Sequence, residues 1–175
     1  MWELKKTAQR QAISGFFCNI KIPGFLVVAA LLVCAGCAKE GTVLKGSARL
    51  DTPDTYQPPV EITVVAKTDS TDLRLGYAAD QIIFDWGMNR SELRVDGGPA
   101  DGHHKVGAGY ITPGKFVTVR WVVTETNQSV YVDGNLRFEH DGDYSKINRC
   151  VSVFTADKAR VTVKSIKVKR DFDGS

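Results

Sequence analysis

Apolar and polar residues alternate along most of the chain after residue 42, and this period of two predicts β-strands with one buried face. The alternation is strongest in residues 60–67 and 116–124. The apolar sides of these segments carry Val60, Ile62, Val64 and Ala66 in the first, and Val117, Val119, Trp121 and Val123 in the second. We expect both sides to line a core, while Thr118 and Arg120 face solvent.

Weaker versions of the same pattern predict further strands, separated by turns rich in Gly, Pro and Asp. These strands cover residues 43–50, 73–77, 81–86, 92–95, 129–132, 135–139, 151–155 and 161–168. Asp133-Gly134 separates two of them and favours a tight hairpin, because both residues tolerate positive φ. No segment keeps a helical period, so the pattern predicts an all-β domain, built as a sandwich or as one closed antiparallel sheet.

The first 36 residues follow a different pattern. Residues 25–33 form an apolar run, and Lys5, Lys6, Arg10 and Lys21 precede it. The run is shorter than the roughly 20 apolar residues that cross a bilayer. It therefore fits the hydrophobic region of a signal peptide, whose positive residues stay on the cytoplasmic side during export.

The leader also explains the basic character of the chain, whose formal net charge is +3. Residues 1–36 hold four of the 23 basic residues and one of the 20 acidic residues, which leaves residues 37–175 with 19 of each. Nucleic-acid contacts need a clustered positive face, so the neutral remainder argues against nucleic acid as a partner.

The tetrapeptide Cys-Ala-Gly-Cys at 34–37 resembles the bacterial lipobox, although Cys34 stands where Leu is usual. The resemblance implies cleavage before Cys37 and acylation of its sulfur. The domain would then be exported and held at a bacterial membrane by lipid. In a Gram-negative cell, Ala38-Lys39 would imply the outer membrane, since neither residue is the Asp linked to inner-membrane retention.

Cleavage there divides the chain into a signal peptide (1–36), a lipidated tether (37–42) and a domain (43–170). Two alternatives stay open: an uncleaved N-terminal helix as the anchor, and a translation start downstream of Met1. With Cys37 acylated, the mature domain keeps only Cys150, which excludes an intrachain disulfide. We interpret Cys150 as a buried structural thiol, because no His lies near it in the sequence.

Two segments, 111–124 and 129–137, resemble a hallmark of concanavalin A-like lectin and glucanase domains, which include laminin-G-like jelly rolls. In these domains a pair such as Gly114-Lys115 opens a long strand, and this strand pairs with one ending in Val-Asp-Gly. The resemblance implies an antiparallel two-sheet jelly-roll sandwich in which the closing strand, 161–168, pairs near the first strand, 43–50. It is specific for fold and weak for function.

The glucanase branch of this fold places Glu, Asp and Glu near alternate positions of one strand, where they act as nucleophile and general acid. The corresponding Glu-x-Asp-x-x-Glu pattern is absent from the sequence, so we expect no catalysis by that route. Asp141 and Asp143 are weak candidates for calcium, because Ca²⁺ takes six or more oxygen ligands. We therefore expect no required cofactor.

Residues 84–94 give the best candidate ligand site. One aromatic ring, Trp86, stands at a strand end beside several hydrogen-bonding side chains. These side chains belong to Asn89, Arg90, Glu92 and Arg94. Sugars are bound by such sets, because their C–H faces stack on an indole ring while their hydroxyls bond to polar groups. The alternative is that Trp86 belongs to the core and the charged residues form a surface ladder.

His103-His104 lies in a loop rich in Gly and Asp and provides a further candidate contact. Adjacent residues of an extended segment point to opposite sides, which makes the pair poor as two ligands of one metal. The two interpretations left are a surface loop and a ligand-contacting loop.

These features favour an envelope lipoprotein that binds carbohydrate or another surface ligand without catalysis. Two other hypotheses stay open. The domain could be a structural or protein-interaction module that contacts an envelope protein, or a sugar-processing hydrolase of an unrecognised type.

Overall fold

The computed structural model of the chain describes residues 41–156 and 158–170. The predicted signal peptide, Cys37 and most of the tether lie outside these residues, so the expectations for them stay predictions. Across the described residues the secondary structure consists of strands and turns. Within that part of the chain, no helix has the length and apolar character needed to cross a membrane.

Twelve strands form two antiparallel sheets of six strands each. In chain order they are β1 (Thr42–Lys45), β2 (Arg49–Asp51), β3 (Val60–Thr68), β4 (Leu73–Gly76), β5 (Gln81–Phe84), β6 (Glu92–Asp96), β7 (Lys105–Val106), β8 (Val117–Val123), β9 (Asn127–Val132), β10 (Asn135–Asp141), β11 (Ser152–Phe154) and β12 (Arg160–Arg170). Sheet A has the order β1-β12-β3-β8-β9-β10, and sheet B has the order β2-β11-β4-β5-β6-β7. The predicted two-sheet, all-β jelly roll is confirmed.

The core lies between the two sheets and is made by the period-two alternation. Strand β3 alternates strictly between buried and half-buried residues, and β8 buries the four positions that its pattern predicts. Trp121 of β8 is fully buried, meets Tyr77 edge to face at 6.1 Å, and donates its indole N–H to Gln128 Oε1 at 2.9 Å. Burial of such rings is the main favourable contribution to the fold.

The predicted hairpin between β9 and β10 is confirmed. Asp133 and Gly134 both adopt positive φ, at 48° and 81°. Asp133 also accepts a hydrogen bond from the Thr118 backbone N–H at 2.9 Å through Oδ1, which ties the turn to β8. The turn therefore fixes the register of the strands that follow it.

The predicted first strand, 43–50, is wrong in one respect, because it divides into β1 in sheet A and β2 in sheet B. The alternation stops at Lys45, and a turn through Gly46 at φ 60° carries the chain across to the other sheet. The predicted pairing of the closing strand with the first is confirmed for β12 and β1. The two-residue strand β7 shows no alternation and was not predicted.

Cys150 is half-buried, so the expectation of a buried thiol is wrong. The physical reason is the alternation around β11, in which Val151 and Val153 point into the core. Cys150 and Ser152 take the other side, and their Sγ and Oγ atoms lie 4.0 Å apart.

Candidate binding face

The outer side of sheet B carries a row of side chains that runs across five strands. Backbone pairing places its members opposite one another in the order Arg49, Phe154, Arg74, Ile83 and Arg94. With neighbouring strands about 4.8 Å apart, the row spans about 19 Å. Arginines alternate in it with apolar side chains. We call this surface the arginine face.

A series of hydrogen bonds connects the side chains in the middle of the arginine face. Arg74 donates to Asp72 Oδ1 at 2.9 Å and to Gln81 Oε1 at 3.1 Å. Gln81 Nε2 donates to Asp96 Oδ2 at 2.8 Å, and Arg94 Nε donates to the same oxygen at 2.9 Å. The side chains are held in fixed positions before any ligand arrives, which lowers the entropy lost on binding.

Trp86 lies next to Arg94, at one end of this series of hydrogen bonds. The Arg94 guanidinium sits 4.5 Å from the centre of the indole ring, and the ring is half-buried. Trp86 is therefore not a core residue, which rejects one of the two interpretations of the sequence. A cation over an indole face fixes the ring and leaves a flat apolar surface beside polar groups.

Asp85 and Arg90 form the most deeply seated ion pair of the site. Both Asp85 oxygens accept from Arg90, through Nε and Nη2, at 2.7 Å each. The carboxylate is fully buried, whereas the Arg90 side chain is 46% exposed and lies 5.7 Å from the Tyr110 ring. The hydrogen bonds to Asp85 hold the pKa of the Arg90 guanidinium above its usual value.

The remaining residues of the predicted cluster are Asn89, in the turn between β5 and β6, and Glu92, at the start of β6. Asn89 pairs with Trp86 through the backbone, and its Nδ2 donates to Glu92 Oε2 at 3.2 Å. The structure thus brings Trp86, Asn89, Arg90, Glu92 and Arg94 to one end of sheet B. They form pairs there, with Asp85 and Asp96 as added partners, and not the simple charge ladder that the sequence allowed.

The opposite end of the arginine face is built on β2 and β11. Arg49 donates to Asp51 Oδ1 at 2.7 Å and to Ser152 Oγ, and it stacks over the Phe154 ring at 4.9 Å. The Ser152 hydrogen bond, followed by Arg49, lowers the pKa of Asp51 below its ordinary value. An aromatic ring with an arginine over it thus marks each end of the row.

Ile83 is an apolar residue on the outer side of sheet B that is nevertheless buried. Its partner in register on each side is an arginine, Arg74 or Arg94. Ile83 is 1% exposed although it lies outside the core cluster between the sheets. Arginine stems can bury an aliphatic side chain while the guanidinium groups stay available for polar contacts. Arg74 Nε is buried without a hydrogen-bond partner among the described residues.

The two loop histidines are not part of this surface. The His103 ring packs against His140 of β10, with 4.4 Å between ring centres. His104 Nδ1 accepts from the Val95 backbone N–H at 3.1 Å. The pair therefore has two different environments, and His104 lies against β6 through its hydrogen bond with Val95. Their proposed ligand contact stays a prediction.

The calcium candidates form separate local contacts. Asp141 accepts from Asn127 at 2.8 Å, and Asp143 accepts from Ser145 at 2.6 Å. Hydrogen bonds from Ser145 lower the pKa of Asp143. In residues 41–156 and 158–170, no group of three or more His, Cys, Asp or Glu side chains has the spacing of a metal site.

Comparison with known proteins places this architecture among jelly rolls. No protein-family model and no curated sequence matches the chain. A galectin from Caenorhabditis elegans, LEC-6, is similar in structure, with a TM-score of 0.51 at 10% identity over 75% of this chain and 94% of its own. The chain has a concanavalin A-like jelly-roll fold. The sequence resemblance is confirmed at the level of fold.

Two bacterial structures show the same likeness. A β-glucanase from Bacillus licheniformis matches with a TM-score of 0.54 at 12% identity, over 70% of this chain and 71% of its own. The carbohydrate-binding module CBM66 from Bacillus subtilis matches with a TM-score of 0.50 at 11% identity, over 74% of this chain and 92% of its own. Identities this low establish the fold and leave the function to the residues of the site.

Sequence reasoning missed most of the residues that form this site, namely Arg49, Asp51, Asp72, Arg74, Gln81, Asp85, Asp96, Ser152 and Phe154. A signal was present for some of them. Arg74 stands between Leu73 and Leu75, so the alternation already turned it away from the core. The strand order of sheet B, in which β11 lies between β2 and β4, has no local signal in the sequence.

Proposed function

We propose that the chain is an exported lipoprotein, anchored through Cys37, whose arginine face binds carbohydrate without catalysing a reaction. The observation that carries the proposal is the row of three arginines that alternate with apolar side chains across sheet B. Phe154 lies next to one end of the row and Trp86 next to the other, each with an arginine over its ring.

The chemistry of this surface suits sugar hydroxyls. Arginine and glutamine side chains donate, carboxylates accept, and each sugar hydroxyl can do both. The half-buried rings of Trp86 and Phe154 offer an apolar surface to the C–H faces of a pyranose ring. Guanidinium groups in a fixed fork geometry bind neighbouring oxygens in pairs, which favours a ligand with hydroxyls on adjacent carbons.

The names of the similar structures support this ligand class. They include a galectin, a β-glucanase and a carbohydrate-binding module. Because their identities to this chain lie between 10% and 12%, they support a carbohydrate ligand only together with the residues of the arginine face.

The pairing of the carboxylates supports binding without hydrolysis. Asp51, Asp72, Asp85 and Asp96 each accept from an arginine, and Glu92 accepts from Asn89. A glycosidase needs one carboxylic acid that stays protonated to donate to the leaving group. Each of these five carboxylates instead lies against the nitrogen donor of its own partner, and this contact takes the place that a leaving group would need.

A glycan array tests the proposal, with Arg94→Ala as the variant and Arg120→Ala as its matched control. Arg120 is an equivalent arginine on the other sheet, held by Glu61 at 2.8 Å and stacked on Tyr131 at 4.9 Å. We expect Arg94→Ala to weaken glycan binding about tenfold or more and Arg120→Ala to leave it unchanged. Trp86→Ala should act like Arg94→Ala.

Two results would overturn this function. The absence of binding by the wild-type chain to any glycan would remove the ligand class, and release of reducing ends from a bound glycan would make the domain a hydrolase. The anchor has its own test, because mass spectrometry of the mature N-terminus should find an acylated Cys37. An intact leader or an unmodified Cys37 would contradict it.

A further inference from the structure

The outer side of sheet A carries a second charged surface of a different kind. Five of its side chains are lysines on the neighbouring strands β1, β12 and β3. We call this surface the lysine face, and it comprises Lys45, Lys67, Lys164, Lys167 and Lys169. Strand pairing distributes them along β12, which lies between β1 and β3, with Lys45 opposite Arg160 and Lys67 opposite Thr162.

The lysine face has an excess of positive charge. Among the ion pairs of residues 41–156 and 158–170, none involves these five lysines. Glu61 of β3 is held by Arg120, and Asp69 at the end of β3 lies 3.9 Å from Arg160. The neighbouring carboxylates therefore already have cationic partners, and the lysines keep their charges for an external anion.

Apolar side chains lie between these lysines. Val43 of β1 is 48% exposed. The Phe116 ring, opposite the end of β3, has the Lys67 ammonium 4.9 Å from its centre and the Lys164 ammonium at 4.0 Å. Lysine charge mixed with exposed apolar residues is the composition of surfaces that lie on anionic bilayers.

The lysine face also borders the point where the chain enters the domain. Strand β1 begins at Thr42 and pairs with β12 along one edge of sheet A. Cys37 precedes Thr42 by five residues, so the Cα atoms of these two residues can lie at most about 18 Å apart. An anchor at Cys37 would therefore hold this edge of the sheet near the bilayer.

We propose that the lysine face docks on the anionic headgroups of the membrane that holds the lipid anchor, which leaves the arginine face on the far side of the sandwich for its ligand. The proposal rests on the anchor in the proposed function only for the choice of membrane. The electrostatic contact itself belongs to residues of the domain. Lysine suits it, because a flexible point charge attracts phosphate groups without requiring a fixed geometry.

Vesicle sedimentation tests the contact without the anchor. The chain from Ala38 onward holds both sheets and the whole described core, and residues 37–175 form a compact unit. Vesicles would contain phosphatidylcholine and phosphatidylglycerol in a ratio of about three to one, compared with phosphatidylcholine alone. We expect measurable binding to the anionic vesicles only, and weaker binding as salt rises.

The double variant Lys164→Gln/Lys167→Gln should lower the partition coefficient about 25-fold, since each lysine near an anionic surface contributes about fivefold. Lys105→Gln/Lys146→Gln is the matched control with the same change in net charge. Both control residues are exposed and lie outside sheet A, so binding should stay near the wild-type level.

Three outcomes would overturn the docking proposal. They are equal binding to neutral vesicles, an equal loss in the control variant, and tighter binding to soluble dextran sulfate than to the anionic vesicles. The last result would assign the lysine face to an anionic polymer. None of them bears on glycan binding at the arginine face or on acylation of Cys37, so the proposals fail separately.

Discussion

The two outer faces of the sandwich both carry cationic side chains, and they use them in opposite ways. On the arginine face the cations are Arg49, Arg74 and Arg94, and each donates to a carboxylate or to a neutral oxygen. On sheet A the lysines form no ion pair within the described part of the chain. The formally neutral charge of residues 37–175 conceals this difference.

The difference is one of geometry as well as charge. Arginine presents a rigid, planar set of donors and is bound by partners that match it, whereas lysine is a flexible point charge. Pairing with carboxylates holds the arginine side chains in place, and a ligand with matching hydroxyls can form further hydrogen bonds with them. A set of unpaired lysines attracts anions over a distance set by the ionic strength. One face is thus suited to recognition and the other to attraction.

Stability alone does not account for the arginine network, because exposed ion pairs contribute little to the free energy of unfolding, about 0 to 1 kcal/mol each. Most of these arginines are partly exposed, including Arg49 and Arg94. Asp85 is the exception, since its carboxylate is fully buried. We therefore expect most substitutions on either face to alter ligand binding more than folding stability. Asp85 is the one position where we expect a substitution to alter both.

The largest effect is expected from a change in the core that both faces share. Trp121→Ala leaves a cavity in the core between the sheets and leaves the Gln128 side chain without its indole partner. We expect a loss of about 3 to 5 kcal/mol in the free energy of unfolding, measured by urea denaturation. Glycan and vesicle binding should fall together as the folded population falls. Loss of one binding activity with the other intact would show that the faces do not depend on a common core.

The next effect separates a deep pair from a surface pair. Asp85→Ala removes the buried partner of Arg90 and places alanine at φ 54°, a backbone region that L side chains other than Asn and Asp rarely adopt. We expect a loss of about 2 kcal/mol in the free energy of unfolding. Asp85→Asn should lose less, because asparagine tolerates the same φ.

Glu61→Ala is the matched control for Asp85, since it removes the carboxylate partner of Arg120 on sheet A. Both members of that pair are partly exposed, so we expect a change of about 0.5 kcal/mol or less in the same urea measurement. Equal losses at Asp85 and Glu61 would mean that burial of the carboxylate does not distinguish the two faces.

The sequence alone predicted which residues face inward more successfully than which residues meet. The alternation in β3 and β8 is local, and it identified the core side of both strands because burial acts on each side chain separately. Arg74, Gln81 and Asp96 meet only after three strands have paired, and that order depends on the whole fold.

The lysine face was missed for a related reason. Its residues come from both ends of the domain, with Lys45 on β1 and Lys167 on β12. Residues 158–170 hold six basic residues and no acidic one, but the sequence alone does not show that Lys45 and Lys67 lie next to this strand. Pairing of the first and last strands creates the cluster, and pairing of the acidic residues with arginines leaves it uncompensated.

The smallest effects are expected from substitutions that keep the positive charge and change only the geometry of the cation. Arg94→Lys should weaken glycan binding about tenfold, since lysine cannot hold Asp96 and stack on Trp86 in the same planar arrangement. Lys167→Arg should change vesicle partition by less than about twofold, because attraction to headgroups depends on charge alone. Isothermal titration and vesicle sedimentation measure the two. If Arg94→Lys bound glycan like the wild type, or Lys167→Arg altered vesicle binding tenfold, the distinction between recognition on sheet B and attraction on sheet A would fail.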